Sequence, residues 1–227
     1  MLRVLACTVA AAACAPPPAP VPARPPRALS YSITMQDQRA GDIEIRIAAD
    51  GTRTGDLRFS VRGAVETIHS ELAVDAAGAP RRFRATGRDH FGEAIDEQID
   101  AAGGALRWRS PGEHGQAPIG SGWYLPLSDA GNTDALLAQA LLRTPGRRMK
   151  LLPAGEAWID DDTVREIAVA GARRTLRRVA IAGLRFEPAL LWLDEDGELF
   201  AVVSSWGSTI RSGAEAAIPT LVADDQA

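Results

Sequence analysis

From Leu29 onward the chain alternates apolar and polar residues with a period of two, and short turn-forming clusters repeatedly cut that alternation. Successive side chains of an extended strand point to opposite faces, so this pattern describes half-buried β-strands and excludes a helical bundle. Leu29, Tyr31, Ile33 and Met35 share one face, and Ile43, Ile45 and Ile47 interleave with Glu44 and Arg46. Asp50-Gly51 suits a tight turn that needs positive φ, after which Leu57, Phe59 and Val61 alternate with Asp56, Arg58, Ser60 and Arg62. The alternation recurs at Ile68, Leu72 and Val74, turns at Asp75 to Gly78, and continues around Phe83 and around Ile95 and Ile99. Beyond the Gly103-Gly104 turn it ends with Leu106 and Trp108. The first half is therefore an antiparallel meander with one apolar face and one charged face.

Residues 110–128 are rich in glycine and proline and lack periodicity, which predicts a loop. Asn132 then stands where a helix cap belongs, ahead of an apolar stripe of Leu136, Leu137, Ala140 and Leu141, and Thr144-Pro145-Gly146 stops the helix. Strand patterns resume at Met149 to Leu152, Glu156 to Ile159, Val164 to Val169, Leu176 to Ile181, Leu190 to Leu193 and Leu199 to Val203. The acidic runs Asp160-Asp161-Asp162 and Asp194 to Glu198 read as charged hairpin turns between them. Ser212 to Ala223 suits a short terminal helix disturbed by Pro219. About ten to twelve strands and one core helix predict a mainly β chain of β-rich α+β type. Its expected architecture is a curved antiparallel sheet forming an open or closed barrel, with one core helix and a short C-terminal helix.

The N-terminus points to export. Met1-Leu2-Arg3 is a short basic segment, Val4 to Ala13 is apolar and built of small residues, and Ala11-Ala12-Ala13 precedes Cys14. So short an apolar run does not cross roughly 30 Å of hydrocarbon as a permanent helix, but it matches a signal peptide. The small residues before Cys14 resemble the acylation site of bacterial lipoproteins, which makes Cys14 the expected lipid attachment and the periplasm, at the outer membrane, the expected location. Ordinary signal cleavage is the alternative. Residues 1–13 are thus read as a signal peptide, 14–28 as a proline-rich extended tether, and 29–227 as a single β-rich domain.

Chemistry is sparse. The body beyond Cys14 has no cysteine, so thiol nucleophiles, zinc-thiolate sites and disulfides are excluded there. The three histidines, His69, His90 and His114, are widely spaced, with no paired ligand pattern, and no cofactor motif is present. Gly120-Ser121-Gly122 is too short for a nucleophile elbow, and Ser204-Ser205 has no histidine beside it and reads as a polar pair on an edge strand. Asp96 and Glu97 fall on opposite strand faces, which argues against a carboxylate pair. With a net charge of only −4 and arginines scattered among acids, the chain has no basic field for nucleic acid. The ligand or partner candidates that remain are Asp89 and His90, at a turn, and Trp108, Trp158 and Trp192, which could line an apolar pocket inside the sheet.

Several segments taken together resemble the N-terminal region that precedes the catalytic barrel in exported bacterial amidohydrolases. They are Gly87-Arg88-Asp89-His90-Phe91 with Asp96-Glu97, Leu136 to Gly146 running into Leu151 to Ala157, Ile181 to Leu184, and Trp192 to Gly197 through Ser204-Ser205-Trp206. The resemblance spans nearly the whole mature part and implies either a separately encoded accessory domain whose partner is an amidohydrolase-type catalytic chain, or a split or truncated reading frame whose barrel lies downstream. The histidine-x-histidine pair that holds the metal in such enzymes has no counterpart here, so no catalytic residue carries over. The sheet pattern also looks like the half-barrels of periplasmic lipid carriers, which implies a small apolar ligand as the alternative partner. Membrane contact is expected through the lipid anchor alone.

Overall fold

The computed structural model describes residues 25–226, so the expected signal peptide, Cys14 and most of the expected tether lie outside the described residues. The meander is realised as β1 (Arg27–Met35), β2 (Gln38–Ile47), β3 (Arg53–Val61), β4 (Ala64–Val74), β5 (Pro80–Arg88), β6 (Ala94–Ala102) and β7 (Ala105–Arg109). Then come β8 (His114–Pro118), β9 (Trp123–Tyr124), helix α1 (Asp134–Arg143), β10 (Arg148–Leu152) and β11 (Glu156–Val169). The chain ends with β12 (Ala172–Ala182), β13 (Ala189–Leu193), β14 (Leu199–Val202), β15 (Gly207–Arg211) and helix α2 (Ile218–Asp225).

All fifteen strands form one sheet, in the order β8 to β1, then β15 to β9. Sequential neighbours pair antiparallel, β1 joins β15, and the short β9 lies parallel to β10. The ladder does not close. Its edges are β8 and β9, which the chain itself connects through residues 119–122, so the sheet is an open, curved, barrel-like ring.

Two cores form on the two faces. The inner core joins Leu29, Tyr31, Ile43, Ile45, Leu72, Phe83 and Ile99 to Val179, Ile181, Leu191 and Leu193 around α1. Six of the ten α1 residues are buried, because the helix lies inside the curve with sheet on several sides. The outer core packs Ile167, Val169, Leu176, Trp192, Phe200 and Ile210 under Ala214, Ala217 and Leu221, where α2 and the preceding turn cover the sheet. Alternation in β13 separates the cores: Leu191 and Leu193 belong to the inner one and Trp192 to the outer one.

Six local expectations need correction. The tether ends before residue 28, since β1 begins at Arg27. Part of the expected 110–128 loop is strand: β8 hydrogen-bonds β7, and Gly115 has no side chain to clash with the Trp108 ring lying over it. The helix cap shifts from Asn132 to Thr133, whose N–H and hydroxyl are both held by the Asp129 carboxylate at 2.8 and 2.9 Å. Asn132 turns inward and donates to Ser70 Oγ at 2.9 Å, in space that Gly55 leaves free. Asp160 to Asp162 form no hairpin turn but lie within the continuous β11, at a register shift between Ile159 and Asp161. Asp161 and Asp162 then alternate onto opposite faces, where Arg178 (2.9 Å) and Arg177 (2.6 Å) of β12 neutralise them. Lastly, Ser204 sits in the β14–β15 turn rather than on an edge strand, and its hydroxyl accepts the N–H groups of Trp206 and Gly207. Pro219 does not disturb α2: it stands in the first turn, where its missing N–H costs nothing.

Candidate functional site

The candidate residues do not converge. Asp89 organises the β5–β6 turn, its carboxylate accepting the N–H groups of Phe91 and Glu93, each at 2.9 Å. His90 is exposed beside it and stacks on Phe91 with ring centroids 3.8 Å apart. Trp108 packs inward, 6.0 Å from Tyr124 between ring centroids. Trp158 pairs with Ala182 on the outer face under the Arg148 guanidinium, 4.5 Å from its ring. Trp192 is fully buried in the outer core. The three tryptophans therefore do not line one cavity, and α1 occupies the inner face that a carrier would keep open.

A charged cluster forms instead at the end of the sheet that bears the β2–β3 and β13–β14 turns. Arg53 opens β3 in the inward phase of Leu57 and Phe59, Arg27 opens β1 in the phase of Leu29 and Tyr31, and Glu198 ends the turn before β14. Arg53 donates Nη1 to Glu198 Oε2 at 2.9 Å and Nη2 to Oε1 at 2.7 Å, a two-pronged pair whose side chains are only 8% and 4% exposed. Arg27 donates to the same Glu198 oxygen and, at 3.1 Å, to Asp196. Asp194 stiffens the turn by accepting the N–H groups of Asp196 and Glu198 and by pairing with Arg211 at 2.9 Å. Gln139 of α1 donates to the Gly197 carbonyl at 2.7 Å and so ties the helix to this turn. Arg211 also lies over the Tyr31 ring, and burial pushes the Tyr31 hydroxyl up to about 12 despite that cation.

Three clefts surround the turn and share its residues. One of about 450 Å³ is lined by Arg27, Ile47, Asp50, Arg53, Leu136 and Glu198. Another of about 300 Å³ adjoins it through Gln139 and runs past Val164, Thr175, Leu193 and Glu195. The third, about 390 Å³, separates Arg173, Arg174 and Thr175 of β12 from Asp194, Glu195 and Asp196. Together they make a mixed-charge groove with apolar patches. Both oxygens of Glu198 and both terminal nitrogens of Arg53 are already engaged, so this pair is a lock and does not offer a free base.

A second buried acid, Glu97, is likewise consumed. It accepts the Tyr124 hydroxyl at 2.8 Å and the N–H groups of Leu127 and Ser128 at 3.0 and 2.9 Å, which pins the segment after β9 onto β6. Burial, with Glu97 adjacent, drives the Tyr124 hydroxyl upward. Asp96 lies on the other face with Arg109 at 3.1 Å, as alternation requires. Among the described residues no group of three potential metal ligands comes together, and no helix is long and apolar enough to cross a membrane.

Sequence reasoning missed Arg27, Arg53, Glu198 and Gln139. The available signal was phase: Arg53 falls on the inward face of its strand, where a charge requires a partner.

No family model matches the sequence, and no curated protein matches it. Among solved structures, the chain is similar to a β-barrel-like protein of the domain of unknown function DUF1849 from Brucella abortus. The TM-score is 0.47 at 13% identity, over 82% of this chain and 94% of that one.

Proposed function

We propose that this chain acts by binding rather than by catalysis, as an exported, lipid-anchored accessory domain for an amidohydrolase-type catalytic chain. The observation that carries the reading is that α1 fills the inner face of the sheet, which leaves recognition to the turns, grooves and strand edges outside. The buried carboxylates support it, since Glu97 and Glu198 are committed to holding loops in place. The composite resemblance to the region preceding an amidohydrolase barrel supplies the partner class. The test is to search the neighbouring DNA for a chain bearing the histidine-x-histidine barrel and to co-express it with this chain, followed by native mass spectrometry. A stoichiometric complex is expected, and two separate species with unchanged hydrolase kcat/KM would refute the proposal.

A second reading, a small-ligand carrier, rests on one specific feature. Ile33, Met35, Phe59 and Val202 form an apolar cleft of about 280 Å³ beside the half-exposed Trp206. Retention of an apolar molecule through native mass spectrometry, lost on Phe59→Asp, would favour it over the first reading.

A further inference from the structure

The β11–β12 hairpin outruns the sheet on one side. β12 pairs with β11 along its whole length, from Ala172 to Ala182, but with β13 only from Arg177 to Ile181. β13 stops at Leu193 because the chain turns through Asp194 to Glu198, and that turn is held shut by the Asp194 N–H to Glu198 carbonyl bond at 2.8 Å. Residues 172–176 of β12 are therefore a strand edge without a neighbour among the described residues, with Ala172 to Thr175 exposed. Every second residue of such an edge aims its N–H and C=O outward, unpaired, which is the template for adding another strand. The edge does not face open solvent. The cleft of about 390 Å³ separates it from Asp194, Glu195 and Asp196.

Charge decides what fits. Arg177 is held by Asp162, Arg173 by Glu166, Asp194 by Arg211 and Asp196 by Arg27, which leaves Arg174 and Glu195, on opposite sides of the cleft, without an ion pair among the described residues. Arg174 shares the face of Leu176, on the outer-core side, whereas Glu195 lines the cleft that reaches α1 on the inner side. A strand laid along residues 172–176 would thus meet a cation on one face and an anion on the other. Two copies of this chain paired edge to edge would set Arg173 and Arg174 against the same arginines, and like charges across a ladder repel.

We infer that the β12 edge from Ala172 to Leu176 is a strand-addition site for an extended segment of a partner protein, acidic on one face and basic on the other. This rests on the binding-module reading and gives it a surface. The partner strand takes the backbone bonds that β13 leaves unmade, sets a carboxylate beside Arg174, and sets an amine or guanidinium beside Glu195.

A synthetic peptide tests the edge independently of any hydrolase, so failure to find a hydrolase complex leaves this result readable. The probe is a fluorescein-labelled decapeptide of strictly alternating glutamate and lysine, titrated with the full-length chain by fluorescence anisotropy. Saturable binding is expected, weakened about tenfold by Arg174→Glu and by Glu195→Lys, a factor that corresponds to about 1.4 kcal/mol. Methylating alternate backbone nitrogens of the peptide should abolish binding, and amide shifts in NMR spectra should centre on residues 172–176. Both substitutions are at residues outside the two cores, and an unchanged urea midpoint verifies the fold. The inference is overturned by no binding at millimolar protein, by equal binding of the methylated peptide, by a footprint on β8, or by a dimer that occupies the edge in sedimentation.

Discussion

Removing the carboxylate of Glu198 should damage the fold more than removing either arginine that it holds. Glu198→Gln keeps the shape but withdraws the carboxylate that is Arg53's one acidic partner among the described residues; the Arg53 side chain is 8% exposed and cannot turn to water without leaving β3. Breaking a buried pair from one side costs about 3–5 kcal/mol, mostly because the surviving charge stays desolvated. The retained amide oxygen still accepts one bond, which sets the expected loss near the lower end, about 3 kcal/mol. Arg53→Met is the instructive contrast. Glu198 then keeps Arg27, which is 27% exposed and also bonds Asp196, so the stranded charge is partly neutralised and the loss should fall to about 1–2 kcal/mol. Combining Arg53→Met with Glu198→Leu removes the buried charges together and should cost less than Glu198→Gln alone. Urea unfolding followed by tryptophan fluorescence reads all three, and equal slopes certify that the midpoints report stability. A shift of 3 kcal/mol corresponds to a loss of about 6–12 °C in Tm for a chain of this size. If Glu198→Gln lies within 1 kcal/mol of the parent, or Arg53→Met proves the more harmful, the reading of Glu198 as the hub of this lock is wrong.

Three further outcomes are expected. Trp192→Phe should cost no more than about 1–2 kcal/mol, because the lost ring volume is offset by removing an indole N–H that is buried without an acceptor; Trp192→Ala should cost about 3–5 kcal/mol in the same urea assay. For Asp162, hydrogen bonds from Arg177 and then Arg147 hold the carboxyl below its usual value. It binds fewer protons folded than unfolded, so its stabilisation is present at neutral pH and is lost as pH falls from about 4 through the lowered value. Its two arginines are about half exposed, so the contribution is about 1 kcal/mol, and Asp162→Asn should flatten the acid limb of a stability–pH curve by that amount. Gly55→Val should displace the segment that leads into α1, since even a single added carbon at residue 55 meets Asn132 Nδ2 at 2.5 Å and Ala130 Cβ at 2.9 Å; loss of amide protection across α1 in hydrogen exchange would register it.

The meander was legible in the sequence because, apart from β1, where Ser32 turns to Glu215 under the C-terminal segment, its strands follow one rule: one face meets the inner core and the other meets water. Ile43, Ile45 and Ile47 are buried while Glu44 and Arg46 form an exposed ion pair, so the period of two survives intact. The Asp50-Gly51, Asp75–Gly78 and Gly103-Gly104 turns fell where that phase resets. The second half is harder to read for a physical reason. Across the second half of β12, β13 and β14 the sheet is covered on both faces, so Leu191, Trp192 and Leu193 are buried in succession and phase disappears. β15 was invisible for a different reason: its burial alternates, but Ser208 and Ile210 share the buried face and only one of them is apolar.

Polarity misleads in this half as much as burial does. Asp160-Asp161-Asp162 has the composition of a solvated turn, yet β11 runs through it because Arg177 and Arg178 of β12 reach Asp162 and Asp161 diagonally, one on each face. The Asp194–Glu198 run is acidic too and is a turn, but its last carboxylate is 3% exposed and joins β1, β3 and β14 through two arginines. Two acidic runs thus reach opposite structures, and the difference lies in which arginines approach from strands distant in sequence. Arg27 and Glu198 are 171 residues apart and Arg53 and Glu198 are 145 apart, separations that a periodicity argument confined to one strand cannot span. The same partners explain why β13 ends where it does: closing the turn over Glu198 satisfies a buried charge, and the edge that this leaves on β12 is the consequence.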